Sequence, residues 1–302
     1  VNRFDGYDCP GCAWPDPDGH RSGFEFCENG AKAIADEATS RRADPDFWSQ
    51  NTVVELSKRS DQWLNSQGRL THPLILKEGS EYYEEIEWGE AFDFIANELA
   101  NLDSPDQALF YTSGRTSNEA AYLWQLLARR IGTNNLPDCS NMCHESSGVA
   151  LNQSIGIGKG TVKLDDFEKA DLILVIGQNP GTNHPRMLTA LRDSKRAGAS
   201  IVSINPLKET GMVRFKHPQN PLEVLGTGNS IADRHIRVRV NGDQALFRGL
   251  AKIIIPLLEE QPQFIVDHTH GFDQYRDSVA NSSWSEILSQ SGVERSEIKK
   301  LG

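Results

Sequence analysis

From about residue 105 the chain alternates between short apolar runs and longer amphipathic stretches, and each change-over is a turn carrying glycine or asparagine. The run 108–112 precedes the turn Gly114-Arg115-Thr116-Ser117-Asn118 and a helical pattern over 119–131. A second run, 172–176, leads through Gly177-Gln178-Asn179-Pro180-Gly181 to a helix expected over roughly 185–197. A third, 200–204, stops at Asn205-Pro206. A fourth, 235–240, precedes a helix over 243–259 that carries Leu246, Leu250, Ile253, Ile254 and Leu257. Strands that alternate with helices imply a mostly parallel sheet covered on both faces. The fold class expected is therefore α/β, with a mostly parallel, Rossmann-like sheet.

Sheets of this kind bind ligands beyond the carboxyl ends of their strands. Gly114, Asn118, Gly177, Asn179, Gly181 and Asn205 all stand just past expected strands. Glycine lets the backbone approach a phosphate, the following helix start supplies N–H donors, and asparagine can read a base or sugar edge. The same residues are also ordinary turn formers. Their recurrence on one sheet favours a nucleotide-like ligand. The run Gly156-Ile157-Gly158-Lys159-Gly160 is not the dinucleotide fingerprint, since no strand immediately precedes it and no GxGxxG follows. With no Walker A sequence either, NAD and ATP are not the natural ligands.

Residues 1 to about 50 are rich in Cys, Pro, Gly and Asp and show no sustained hydrophobic period. A metal site is the economical organiser for such a segment. Residues 69–88 read as short strands, and Trp88 opens a helix through Leu99 with Phe92, Ile95 and Leu99 at helical spacing. The division expected is a cysteine-containing, iron–sulfur-type region over 1–65 and an α/β domain over 66–302.

Composition narrows the partners. The net charge of −11 argues against nucleic acid or an anionic membrane surface. No apolar run approaches the roughly 20 residues a bilayer span requires. The stretch from Val1 shows no basic n-region, apolar h-region or twin-arginine signal, and five cysteines, three of them within the first 27 residues, do not read as a disulfide framework. Metal or redox cysteines in a reducing compartment, the cytoplasm, are expected. Helix openings near Trp284 and Arg295 with no distinct terminal element after them suggest part of a longer protein.

Cys9-Pro10-Gly11-Cys12 and Cys27 supply three thiolates, whereas tetrahedral zinc and cubane iron–sulfur clusters usually take four ligands. The fourth could be His20, Asp16 or a residue outside this region. Cys143 beside His144 could be a nucleophile–base pair, a metal ligand with a proton acceptor next to it, or a buried thiol. The polar surroundings, Ser140, Asn141, Glu145, Ser146 and Ser147, speak against burial in a core. Cys139 is taken as a packing residue. Among the remaining histidines His184, at a helix start beside Pro185 and Arg186, lies where a phosphate or ligand edge would be.

Taken in order, these residues resemble the large subunit of the molybdopterin oxidoreductases, the dimethyl sulfoxide reductase superfamily that includes formate dehydrogenase. The likeness is greatest to the YdeP-type, formate-dehydrogenase-like branch. It runs over nearly the whole chain. The motifs that carry it are 114–119, 131–135, 141–144, 177–185, 233–236 and Gly242-Asp243. The resemblance implies a bis(molybdopterin guanine dinucleotide) cofactor and a nearby [4Fe-4S] cluster. It also implies that Cys143 ligates molybdenum, a role that suits a soft thiolate, and that His144 is the adjacent proton acceptor. Arg115, Asn118, Gly177, Asn179, His184, Asn205 and Asp243 become cofactor contacts, Cys9, Cys12 and Cys27 cluster ligands, and Lys32 the bridge between cluster and pterin. The chain departs from the family's cluster motif, because the third cysteine is distant and a fourth is absent. Either a non-cysteine ligand completes the cluster or none binds. Family members are also much longer.

The activity so implied is a two-electron oxidation of a small substrate, formate by likeness, with electrons passed through the cluster to an acceptor protein or subunit. Two other classes are compatible with parts of the pattern. One is a non-catalytic electron-transfer or scaffold homologue without molybdenum. The other is a cysteine hydrolase, disfavoured because neighbouring residues on an extended loop point in different directions.

Overall fold

The computed structural model describes residues 14–15, 27–113, 116–137, 144–258 and 262–302. Its described residues form two compact units, one within 29–161 and the other made of 162–302 together with Trp14, Pro15, Cys27 and Glu28.

In the first unit, β1 (Arg42–Ala43) pairs in parallel with β2 (Arg69–Leu70), and β3 (Leu74–Ile75) pairs antiparallel with β4 (Glu84–Glu85). The region without a hydrophobic period still forms the helices Glu28–Glu37 and Pro45–Gln50. The second is set locally: the Asp44 side chain accepts from the Phe47 N–H and proline occupies the first turn. The helices Trp88–Ala100 and Asn118–Ile131 follow the expected pattern. Ser117 caps the latter by accepting from the Ala120 N–H, and Gly132 ends it in the left-handed region at φ 108°.

Two stretches differ from expectation. The run 108–112 joins none of the three sheets among the described residues. Phe110 instead donates its N–H to the Asn135 carbonyl, and Asn135 Nδ2 donates to the carbonyls of Asp106 and Ala108. Ala108, Phe110 and Ala128 form a small core there. Among the described residues Ala108 and Phe110 are buried without a ladder, and only Thr112 of the run takes part in a β-bridge, which is why a short apolar run is an ambiguous strand signal. Glu145, Ser146 and Ser147, expected in a loop, open the helix Glu145–Ile155.

The second unit holds the parallel sheet, in the order β5 (Leu172–Ile176), β6 (Ser200–Ile204), β7 (Arg234–Ile236). The first two strands have the expected bounds; the third is shorter. Ile201 to Ile204 are all buried, as a central strand covered on both faces requires. Val202 and Ile204 join Ile236, Val238, Leu246, Leu250, Ile287 and Ile298 in a core beneath the helices Asp243–Ile254, Trp284–Ser291 and Arg295–Leu301. Ile201, on alternate register, joins Val175, Leu188, Leu191 and Met212 in the opposite core beneath the helix Met187–Ala197. The α/β expectation of helices on both faces holds in this unit.

Candidate functional site at the carboxyl edge of the sheet

The strands of a parallel sheet end together, so the turns after β5 and β6 are brought side by side whatever their separation in sequence. Gly177, in the left-handed region at φ 63°, turns the chain out of β5 while its N–H donates to the Ile204 carbonyl at 2.9 Å. Asn205 takes the next rung, its N–H donating to the Ile236 carbonyl at 3.1 Å. Its side chain then ties two turns together: Nδ2 donates to the Gln178 carbonyl at 3.3 Å and to Glu209 Oε1 at 3.4 Å, while Oδ1 accepts from the Leu207 N–H.

Asn179 stands at the start of the short helix Pro180–Asn183, its carbonyl accepting from Thr182 and Asn183. This helix meets Thr210–Val213 backbone to backbone. A Cβ on Gly211 would lie 3.2 Å from the Gly181 Cα. The chain enters His184 immediately afterwards. The His184 Nδ1 is buried and has no hydrogen-bond partner, and its ring lies 6.2 Å from that of Trp14. Buried polar atoms are nearly always partnered, so an orphan at a strand-end turn points to a missing donor or acceptor. Asp243 opens the helix that follows β7. The Gly242 before it has no room for a side chain, since a Cβ would meet the Gln290 carbonyl oxygen at 2.7 Å.

Charge is gathered away from this edge, and Asp233 and Ile201 stand at the amino-terminal ends of β7 and β6. Asp233 accepts from Lys195 Nζ at 2.7 Å and from the Ile201 N–H at 2.8 Å. Burial alone would raise its carboxyl, but Lys195 and the Ile201 N–H outweigh that and hold it below the usual range. Glu223 gathers Arg196 at 2.6 Å, Arg192 at 3.3 Å, Asn229 at 2.8 Å, Asn220 and the His217 N–H. Burial pushes this carboxyl up, and the His217 N–H and the two guanidiniums bring it below its ordinary value. His217 is held low by burial and by Arg192, and His235 by burial and Lys208. The His235 Nδ1 is also buried without a partner.

Gly177, Asn179, His184, Asn205 and Asp243 thus belong to one unit, and the first four to the linked turns after β5 and β6. Lys32, Asn118 and His144 belong to the other. Lys32 pairs with Asp36, which also accepts from Asn65. Asn118 is exposed at the first turn of its helix, and His144 is exposed at the cap position of Glu145–Ile155. Cys27 is a half-buried free thiol. Cys9, Cys12, Arg115 and Cys143 lie outside the described residues, as do Asp16, His20 and Cys139. Sequence reasoning passed over Trp14 and Gly211. A tryptophan two residues after the second cysteine of a C-x-x-C was the available signal for the first; a lone glycine offered none for the second.

A glycine-turned backbone, amide side chains and an orphaned imidazole nitrogen at a strand end form a donor–acceptor set that fits the nucleotide portion of a dinucleotide-type cofactor. The family profile "Molybdopterin oxidoreductase" matches residues 69–290. An uncharacterised oxidoreductase of Mycobacterium tuberculosis is 51% identical over 307 residues, covering 100% of this chain and 39% of its own length. Protein YdeP of Escherichia coli is 49% identical over 314 residues, covering 100% and 41%. The alpha subunit of F420-dependent formate dehydrogenase 2 from Methanococcus maripaludis is 30% identical over 233 residues, covering 77% and 32%. The chain therefore spans about two-fifths of the length of the first two relatives.

Proposed function

Because the chain belongs to the molybdopterin oxidoreductase family, we propose that it is part of a formate-dehydrogenase-like enzyme that oxidises a small substrate by two electrons. The family implies a molybdopterin cofactor. The bis(guanine dinucleotide) form, a [4Fe-4S] cluster, formate as substrate, a separate electron acceptor and a cytoplasmic address belong to the proposal. The observation that carries it is the orphaned, buried Nδ1 of His184 at the end of the β5 turn, beside Gly177 and Asn179 and linked through Asn205 to the β6 turn.

In this reading Gly177, Asn179, His184, Asn205 and Asp243, with Arg115 and Asn118, hold the cofactor's nucleotide portions, and Cys143 is its thiolate ligand. When bound, the group supplies a two-electron redox centre. The chain's own residues do the rest. Asn205 keeps two ligand-facing turns in register by bonding to one backbone from the other. His144 takes the proton released from substrate, a role suited to an imidazole near neutral pH. Cys9, Cys12 and Cys27 would hold the cluster, and Lys32 would relay electrons between cluster and cofactor.

The test is molybdenum, pterin and iron content of the anaerobically purified full-length protein, made with the cofactor pathway intact, beside its Cys143→Ala variant. Molybdenum, pterin and iron in the parent, with turnover abolished and iron retained in the variant, are expected. Wild-type turnover in that variant ends the assignment of Cys143. Neither metal nor pterin in the parent would leave a cofactor-free electron-transfer scaffold as the better reading.

A further inference from the structure

The two units bury very different amounts of apolar surface. Of the buried apolar side chains among the described residues, nineteen lie in the parallel-sheet unit and five, Ala43, Leu56, Ala108, Phe110 and Ala128, in the first unit. The first unit is nevertheless not short of apolar residues. In the helix Trp88–Ala100, Trp88, Phe92, Ile95 and Leu99 recur at spacings of four, three and four, which puts them on one face. Leu99 packs against the small core of Ala108, Phe110 and Ala128. Trp88, Phe92 and Ile95 are each more than half exposed, and the first two rings lie 5.6 Å apart. The stretch 108–111 is one-sided in the same way. Ala108 and Phe110 are buried, while Leu109 and Tyr111 are 67% and 47% exposed. Single exposed apolar side chains are ordinary, but an apolar helix stripe normally faces a core, and a run apolar at successive positions is normally covered on both sides.

We propose that the first unit lacks a layer, and that the stripe of Trp88, Phe92 and Ile95 and the outer side of Leu109 and Tyr111 are covered by a segment of the same polypeptide lying outside these 302 residues. Relatives match the chain over its whole length, yet it makes up only 39% and 41% of two of them, so more than half of each lies outside the match. A unit with so few buried side chains has too little core to fold first and wait for a separate partner, which favours a cover carried on its own chain. The covering segment is apolar on the face it presents, since the stripe offers two aromatic rings and an aliphatic side chain and no charge.

The experiment is thiol labelling of full-length protein, read peptide by peptide by mass spectrometry. Ile95→Cys and Leu109→Cys are expected to react at least about tenfold more slowly than Asn97→Cys, which stands on the opposite side of the same helix, because a covered thiol reacts only through local opening. Labelling of Ile95→Cys and Leu109→Cys as fast as Asn97→Cys overturns the proposal. The occupant is identified by replacing Phe92 with a photoreactive benzoyl-phenylalanine, which keeps a ring in the stripe, and irradiating the full-length protein. A cross-link within one chain to a peptide outside the 302 residues is expected. A cross-link to a peptide within them, or one that joins two chains and fades on dilution, overturns the assignment to that segment.

Discussion

Gly211 and Gly181 meet without side chains between them, and the contact is asymmetric. A Cβ on Gly211 would stand 3.2 Å from both the Gly181 Cα and Leu188 Cδ1, whereas one on Gly181 would stand 3.5 Å from the Gly211 Cα. The first is a tight approach to which backbone and Leu188 must yield by a few tenths of an ångström; the second is ordinary contact. Gly→Ala itself stabilises by up to about 1 kcal/mol through the unfolded chain, and overpacking costs about 1–3 kcal/mol. Gly211→Ala is therefore expected to destabilise by about 1–2 kcal/mol and Gly181→Ala to be near neutral. Denaturant midpoints of the two variants check this, and equal midpoints refute it.

Glu223 is the carboxylate on which the 214–230 segment is tied to the helix Met187–Ala197. Its side chain and that of Arg192 are each only 11% exposed. Removing one member of such a pair usually costs about 3–5 kcal/mol. Arg192 keeps a second partner in Asp193 at 2.7 Å, which lowers the cost here. Glu223→Gln is expected to lose about 1–3 kcal/mol, and Arg196→Met, which removes an arginine side chain that is 52% exposed, less than about 1 kcal/mol. Urea titrations in low and high salt should rank them so; the reverse order contradicts the burial argument.

Acid should weaken the parallel-sheet unit in two stages. His217 and His235 are held below their ordinary 6.5, so the unfolded chain takes up protons first as pH falls past that value. Stability present above about pH 6.5 then declines. Asp233 and Glu223, held below 3.8 and 4.5, contribute stability above those values that is lost as pH falls through their depressed native ones. Unfolding free energy measured from about pH 8 to pH 3 should show both declines, and a flat curve between about pH 7 and 5 would remove the histidine stage.

Under the proposed function, in which His144 takes a proton, His144→Ala should lower turnover of the full-length protein by about 10²–10⁴-fold, the usual worth of a general base, without changing molybdenum content. Added imidazole should recover part of the rate. Loss of metal along with activity would make His144 a structural residue instead.

Much of this was legible in advance because strand and helix periods are local. Leu172–Ile176 and Ser200–Ile204 have the bounds their apolar runs announce, and Asn118–Ile131 begins where Ser117 can cap it. Asn205 was recognisable as a strand-end residue, but not as the bond to Gln178, because that partner is fixed by strand order and not by spacing. The run 108–112 reads as a strand from its period, yet within it Ala108 and Phe110 alone are buried, against Ala128, and Phe110 is tied to Asn135.

Chain periodicity and the order of its motifs determined the α/β class, the family likeness and which turns could face a ligand, since each depends only on residues near one another in sequence. Tertiary structure alone decided that the β5 and β6 turns share Asn205, that Gly211 packs tightly against Gly181 and Leu188 and that His184 keeps an unpartnered nitrogen near Trp14. Those relations join residues far apart along the chain. They are set by parallel strands ending at one edge and by packing across it, which no local pattern encodes.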